Sequence, residues 1–395
     1  MTPDALVIGG GVVGLTVALA VRRRFPDARV MVLEKEERCG MHASGRNSGV
    51  LHAGFYYSSD SLKASFSRDG AAAWIRWCTE RGLPLRRCGK LVVARSEEEH
   101  AGLDELLRRG QLNGVRLENV SESEARSIEP RVRTVGRALW SPDSAAVEPS
   151  SVINSLVAEC EAVGVVLQTG VAWIGWDGRT LTSDGAIDAG LVINCAGLYA
   201  DRVAHAHGLG RHLRILPFKG LYLYGSDDVP PLACHVYPVP DLGMPFLGVH
   251  WTVTPDGRSK IGPTALPALW RENYGGLSNF QLGELLEVLG RECGLFFGDA
   301  AFRSLALHEA QKARRSSLVA GAALLLDGVE ASQFRRWGRP GIRAQLLDTR
   351  SRQLVMDFVV ESDERSVHVL NAVSPAFTCA LPFAEHVVDG LPWSR

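Results

Sequence analysis

The sequence predicts a mixed α/β (α+β) fold, in which a parallel sheet covered by helices is interleaved with an antiparallel sheet. Three observations lead there. The apolar run Ala5-Leu-Val-Ile8 passes directly into Gly9-x-Gly11-x-x-Gly14 and then into a strongly apolar helical pattern. Near mid-chain, Gly190-Leu-Val-Ile-Asn-Cys-Ala-Gly197 repeats the step from buried strand to glycine turn. Between about 213 and 262, short β-like runs follow one another, punctuated by Pro and Gly. Continuous apolar strands joined by helices belong to parallel sheets buried on both faces; short strands between turn residues belong to antiparallel ones.

The opening segment carries the most chemistry. Gly9 allows a tight turn, Gly11 lets a pyrophosphate approach the backbone, and Gly14 lets helix pack on strand. The helix N-terminus behind them offers unpaired N–H groups and a positive dipole end. A second run, Val30-Met-Val-Leu33, ends in Glu34, twenty residues past Gly14 and placed to accept hydrogen bonds from an adenosine ribose. Further along, 60–81 reads as a helix with apolar positions at Leu62, Phe66, Ala73, Trp74, Trp77 and Cys78. A strand over 90–94 and a charged helix over 97–110 follow, and Ser121-x-x-Glu124 has the form of a capping box. A helix is expected over 150–163 after Pro149, then a strand at 165–167 and another helix from near Ala200. The β runs are 214–224, 234–239, 246–253 and 259–261, with helices around 280–290 and 299–313. A strand at 366–370 and a helix from Pro375 to Val388 close the chain, with proline at a helix start where its missing N–H costs nothing.

Composition narrows the function. A chain of 395 residues exceeds what one core usually supports, so two domains are expected. A formal net charge of −1 gives no electrostatic reason to expect nucleic acid as a partner. No apolar run approaches the ~20 residues of a membrane helix, and the first strand begins too close to Met1 for a leader, so a cytoplasmic protein is expected. The eight cysteines include no C-x-x-C pair, which argues for free thiols and against a metal centre. Arginine outnumbers lysine 37 to 6.

Several segments together resemble the FAD-dependent oxidoreductases of the D-amino-acid oxidase superfamily, and within it the L-2-hydroxyglutarate dehydrogenases. They are Leu33-Glu-Lys-Glu36, His42-x-Ser-Gly-x-Asn-Ser-Gly-Val-x-His-Ala-Gly54, Tyr56-Tyr57, Ser61-Leu-Lys-Ala64 and Cys88-Gly-Lys90, then Cys195-Ala-Gly-Leu-Tyr-Ala-Asp201, Pro217-Phe-Lys-Gly220 and Tyr237-Pro-Val-Pro-Asp241. Pro245-Phe-Leu-Gly-Val-His250, Gly262-Pro263, Gly341-Ile-Arg-Ala-Gln345 and Asn371-Ala-x-Ser-Pro375 complete the set. The family's Pro-Phe-Arg-Gly is here Pro-Phe-Lys219-Gly, its Gly-His-Asn-Ser is Gly-Arg46-Asn-Ser, and 140–148 lacks an expected glycine. Lysine replaces a bidentate fork by a point charge, which bears on substrate identity.

The resemblance implies a Rossmann-like FAD-binding domain (1–87, 145–212 and 335–395) interleaved with a substrate-binding domain (88–144 and 213–334). It implies FAD, held non-covalently, with Cys39 the one thiol near the cofactor loop. Residues expected at FAD are Gly9, Gly11, Gly14, Glu34, Lys35, Ser44, Asn47, Ser48, Ala196, Gly197 and Asp201. Ser374, Ala376, Phe377 and Thr378 join them at a helix start that faces the flavin pyrimidine, with Asn371 beside it. The implied reaction oxidises a 2-hydroxy acid, L-2-hydroxyglutarate by preference, with hydride passing to flavin N5.

Removing the hydroxyl proton suits a histidine. His52, five residues beyond Asn47, is the first candidate and His250 the second, with His42 read as a turn residue. A dicarboxylate calls for cations and hydroxyls: Arg343 as a bidentate clamp beside the reacting carbon, Lys219, Tyr237 and Tyr57. Tyr56 and Tyr57 fit substrate contact or core packing equally, and Trp173 and Trp176 fit packing. An amine or amino-acid oxidase and a non-catalytic protein of the same fold are the alternatives. The electron acceptor is left open between oxygen, a quinone and a carrier protein; quinone use would bring peripheral membrane contact.

Overall fold

The computed structural model describes residues 2–241 and 248–393. Its chain divides into two compact units, one of residues 1–47, 149–217 and 343–395, the other of 48–148 and 218–342.

The first unit is built on a six-stranded sheet in the order Val359–Ser362, Ser366–Asn371, Leu191–Asn194, Ala5–Ile8, Val30–Leu33, Val166–Gln168. All pairs are parallel except the first, which is antiparallel. Ala5–Ile8 pairs with Leu191–Asn194 on one side and Val30–Leu33 on the other, and all three are buried throughout, which is why they read as unbroken apolar runs. The helix Val12–Arg24 follows the glycines, and its Thr16 hydroxyl donates to Val12 O at 2.8 Å and to Ala380 O at 3.2 Å in the helix Ala376–Asp389. That last helix begins one residue after Pro375, and the helix Pro149–Ala162 carries its proline at the first position. A small antiparallel ribbon, Trp173–Trp176, Thr180–Thr182 and Gly185–Ile187, places Trp173 and Trp176 against a cluster that includes Leu6, Met31 and Val192.

The second unit holds an eight-stranded sheet: Arg336–Trp337, Leu223–Tyr224, Ser259–Gly262, His250–Val253, His235–Pro238, Lys90–Val93, Arg137–Ser141, Glu118–Ser121. It is antiparallel as expected, except that His235–Pro238 runs parallel to Lys90–Val93. Of the expected strand over 246–253, residues 246 and 247 lie outside the described residues, and pairing runs from His250 to Val253. Ser61 caps the helix Leu62–Glu80 by accepting from Ala64 N–H, and the capping box of Ser121 and Glu124 is formed in both directions. Helices occupy Leu282–Gly298, Ala300–Gln311 and, beyond the sequence reading, Arg315–Ala323.

The segment 48–87, assigned above to the nucleotide-binding half, packs within the second unit. Val50–Leu51 and Leu85–Arg86 pair with opposite edges of Ala145–Val147, and this small sheet draws the intervening helix with it. Likewise the units divide within the strands Leu213–Gly220 and Gly341–Asp348, a few residues from the expected boundaries at 212 and 335.

Candidate functional site

In the first unit the glycines form a cradle too tight for side chains. Gly9 lies at φ +111°, and a methyl group there would fall 2.5 Å from the Cys195 carbonyl oxygen. At Gly14 it would fall 1.9 Å from the Gly9 carbonyl oxygen, so helix and turn touch backbone to backbone. At Gly10 it would meet Cys39 Sγ at 2.7 Å, and at Gly11 Ser44 Oγ at 3.0 Å. Ser44 Oγ accepts from Val12 N–H at 2.9 Å, satisfying one orphan donor of the helix start.

Glu34, buried at the end of its strand, accepts from Gly10 N–H at 2.8 Å and from Glu36 N–H at 2.9 Å. Each carboxylate oxygen keeps a second lone pair, the capacity a ribose hydroxyl needs. Lys35 pairs with Glu36 at 2.9 Å and lies 5.4 Å from the Tyr199 ring centroid. Asn47 Nδ2 donates to Ser44 O at 2.7 Å within its own turn, and His42 Nε2 lies 2.9 Å from Glu36 Oε1. Burial, aided by the charge of Glu34, pushes the Cys39 thiol up to about 11, which keeps it protonated and a poor nucleophile toward a flavin ring.

The strand end at Asn194 is organised by a residue that sequence reasoning passed over. Asn194 is fully buried; its amide donates to Ala200 O at 2.8 Å, lies 3.0 Å from His368 Nδ1, and accepts from Ala196 N–H at 3.1 Å. This clamps the turn containing Gly197, which has φ +55° and open space where a side chain would stand. Asp201 is buried, and its carboxylate accepts from Arg202 N–H at 2.9 Å and Ile215 N–H at 3.0 Å. At the start of the last helix, Ala376 N–H donates to Val373 O at 3.1 Å, and Thr378 is buried while Phe377 is half-buried. Asn371 is fully buried, with its amide bound to the carbonyls of Val355 and Asp357 and its Oδ1 left without a partner among the described residues. Arg343 opens the last segment of this unit and is half-buried.

The second unit brings four of the singled-out side chains into one cluster and adds a fifth. His52 is buried, and Lys90 Nζ lies 3.4 Å from its Nδ1. Lys90 is wholly buried, with Nζ 4.4 Å from the Tyr237 ring centroid, 5.2 Å from that of Tyr56 and 5.7 Å from that of Phe55. Among the described residues no carboxylate pairs with it, and burial pulls its ammonium down to about 7. The Tyr56 hydroxyl is buried with no hydrogen-bond partner among the described residues. Burial raises the pKa of Tyr56 and Tyr237 well above the ordinary phenol range, so both stay protonated.

Tyr237 stacks on His250 with centroids 3.8 Å apart, and His250 Nδ1 lies 2.9 Å from Gly248 O, which places the proton on Nδ1. Beneath, His235 Nδ1 accepts from Val253 N–H at 3.1 Å and its Nε2 lies 3.4 Å from Cys88 Sγ. Burial, helped by the charge of Lys90, holds that imidazole neutral down to about 3.

The loop carrying His52 is pinned from one side. Asn113 Nδ2 donates to Gly54 O at 3.0 Å and to Tyr57 O at 3.1 Å, and Arg109 donates to Tyr56 O at 2.9 Å. Lys219 Nζ donates to Asn273 Oδ1 at 2.7 Å. Tyr57 is half-buried with Lys63 5.9 Å from its ring, and Ser48 Oγ accepts from Val50 N–H at 3.3 Å. Lys90 was not assigned a role from sequence, because nothing local marks a strand lysine as buried; its signal is its place in Cys88-Gly-Lys90 beside the motif containing His52.

These features match known proteins along the whole chain. A family model described as FAD dependent oxidoreductase (DAO) matches residues 4–389. An L-2-hydroxyglutarate dehydrogenase of Escherichia coli is 33% identical over 398 residues, covering 98% of this chain and 92% of that protein. The mitochondrial L-2-hydroxyglutarate dehydrogenase of Homo sapiens is 32% identical over 415 residues, covering 98% and 88%. Among solved structures, the L-alpha-glycerophosphate oxidase of Mycoplasma pneumoniae, with FAD bound, superposes at a TM-score of 0.81 with 22% identity over 100% of this chain and 96% of that one. Glycine oxidase from Geobacillus kaustophilus gives 0.72 at 20% identity over 99% and 94%. A glycine cradle that side chains would fill, a buried acid at the next strand end and a family match over nearly every residue have one reading: the chain belongs to the DAO family of FAD-dependent oxidoreductases.

Proposed function

We propose that this protein oxidises L-2-hydroxyglutarate, or a closely related 2-hydroxy acid, to the corresponding 2-oxo acid. The observation that carries this is the full-length similarity, at 32–35% identity, to L-2-hydroxyglutarate dehydrogenases from bacteria and animals. FAD, when bound, supplies a two-electron acceptor for the hydrogen on the carbinol carbon. Gly9, Gly11, Gly14 and Glu34 would hold its dinucleotide half, with Lys35, Ser44, Asn47, Ser48, Ala196 and Gly197 around it and the segment Ser374 to Thr378 at its flavin end.

The remaining work falls to protein side chains. His52 takes the hydroxyl proton of the substrate at Nε2, because its Nδ1 edge faces Lys90. His250, with its proton fixed on Nδ1 by Gly248 O, offers Nε2 as a second acceptor. Arg343 grips the carboxylate beside the reacting carbon, and Lys219 and Tyr57 serve the distal end. Tyr237 and Tyr56 wall the proton-transfer site and keep water from it, which strengthens every polar interaction inside.

The test is an anaerobic absorbance spectrum of the purified protein before and after adding each enantiomer of 2-hydroxyglutarate. Bleaching of the flavin band by the L form alone is expected. A band unmoved by either acid, or bleached by an amino acid with release of ammonia, overturns the reading. Among the described residues no helix is long and apolar enough to cross a membrane. Reoxidation of the reduced protein by oxygen, by a soluble quinone and by a carrier flavoprotein, compared side by side, identifies the acceptor.

A further inference from the structure

We infer that Lys90 is a positioning residue for His52: its uncharged ε-amino group accepts the Nδ1 proton and so holds the imidazole in the one neutral tautomer whose Nε2 takes up a proton. The inference deepens the proposed reaction and rests on His52 acting as its base.

Geometry carries it. A neutral imidazole has one N–H and one lone pair, so the partner of Nδ1 decides what Nε2 does. That partner is Lys90 Nζ at 3.4 Å. A charged ammonium has three donors and no lone pair; it would force the proton onto Nε2 and leave His52 unable to act as a base. A neutral amine has a lone pair and reverses the assignment. The surroundings favour the neutral form: Lys90 is fully buried among Phe55, Tyr56 and Tyr237, and no described carboxylate balances its charge.

The other groups around it add no anion. The neighbouring strands present His235 and Tyr237 on one side and Ser141 on the other; Cys88 lies two residues away and His250 behind Tyr237. Cys88 is pushed up to about 11 by burial and His235 is neutral, so neither supplies charge at neutral pH. With the lysine itself at about 7, its lone pair appears within the working range. An arginine could not serve here, because guanidinium does not give up its proton in a protein.

Two measurements test this. The first needs no turnover. With 15N-labelled histidine, the tautomer of His52 is read from its two ring nitrogens, the signal being assigned by its loss in His52→Gln. Above pH 7 the Nδ1–H tautomer is expected in the native protein, and the Nε2–H tautomer or a mixture in Lys90→Met. An Nε2–H tautomer in the native protein, or the same tautomer in both, overturns the inference, whatever substrate the protein uses.

The second is kinetic. In the native protein kcat/KM should rise with pH as Lys90 loses its proton. Lys90→Met should abolish that limb and lower kcat by about 10- to 100-fold, with KM changed little. Because methionine nearly matches lysine in length and suits an aromatic lining, this variant should retain FAD and gain in Tm. Lys90→Arg should be as impaired as Lys90→Met at high pH. Retained activity in Lys90→Arg would mean that the site uses a cation, and an unchanged pH limb in Lys90→Met would mean that Lys90 does not touch the proton step; either result overturns the inference.

Discussion

A neutral histidine presents its lone pair on the nitrogen that its surroundings leave unprotonated, and in the proposed reaction this applies to two residues. His250 is set by the Gly248 carbonyl and His52 by Lys90. Replacing His52 with Gln should leave FAD bound and the substrate dissociation constant nearly unchanged, while flavin reduction slows by about 100-fold or more. Stopped-flow reduction under anaerobic conditions measures both quantities, and an unslowed rate would remove His52 from proton transfer. The sequence singles out His52 because its segment runs on from Asn47 and Ser48. It does not single out Lys90, since the role of that residue depends on three aromatic rings, two of them from the Phe55-Tyr56 pair and one from a strand 145 residues downstream. Asp201, also singled out in the sequence, lies inside the fold and accepts from the backbone N–H groups of Arg202 and Ile215 in its own unit.

At the scale of elements, the nucleotide-binding turn was legible because it is local. Strand, glycines and helix are contiguous, and two of the glycines answer backbone contacts seen in the structure, Gly14 against Gly9 O and Gly9 against Cys195 O, while Gly11 faces the Ser44 hydroxyl. A Gly14→Ala substitution places a methyl group where backbone cannot yield easily, so helix and strand must separate. Loss of bound FAD and a destabilisation on the order of 2–3 kcal/mol are expected. The ratio of flavin to protein absorbance after gel filtration, together with Tm, checks this; full flavin content would show that the turn relaxes around the added carbon. The strands Glu118–Ser121 and Arg137–Ser141 escaped the sequence reading because much of the first is exposed and the second mixes arginine, serine and a half-buried tryptophan. Only pairing with each other and with Lys90–Val93 makes strands of them.

Each unit of the molecule also contains a buried histidine that must remain neutral. His368 in the first and His235 in the second are both held down to about 3, chiefly by burial. In the unfolded chain they titrate near 6.5, so between pH 6.5 and 3 the unfolded state binds more protons and stability falls as pH falls. At pH 5 the loss relative to pH 7 should be about 2 kcal/mol for each histidine. Thermal melts across pH 7 to 5 should show Tm declining, with a shallower decline in His368→Gln; a flat profile would show that these rings are not the acid-sensitive groups. The way the units share one chain has a further result, visible in the order of synthesis. The first unit is assembled from three segments, and the strand Ser366–Asn371, which covers the flank of Leu191–Asn194, is in the last of them. So is the helix whose Ala380 carbonyl receives Thr16 from the other end of the chain. Until the ribosome has passed residue 371, the nascent sheet keeps a buried-type apolar strand as a bare edge, the feature that invites misassociation. A translational pause between residues 194 and 366 should therefore prolong the exposure of that edge, a cost of splitting a dinucleotide fold around an inserted sheet.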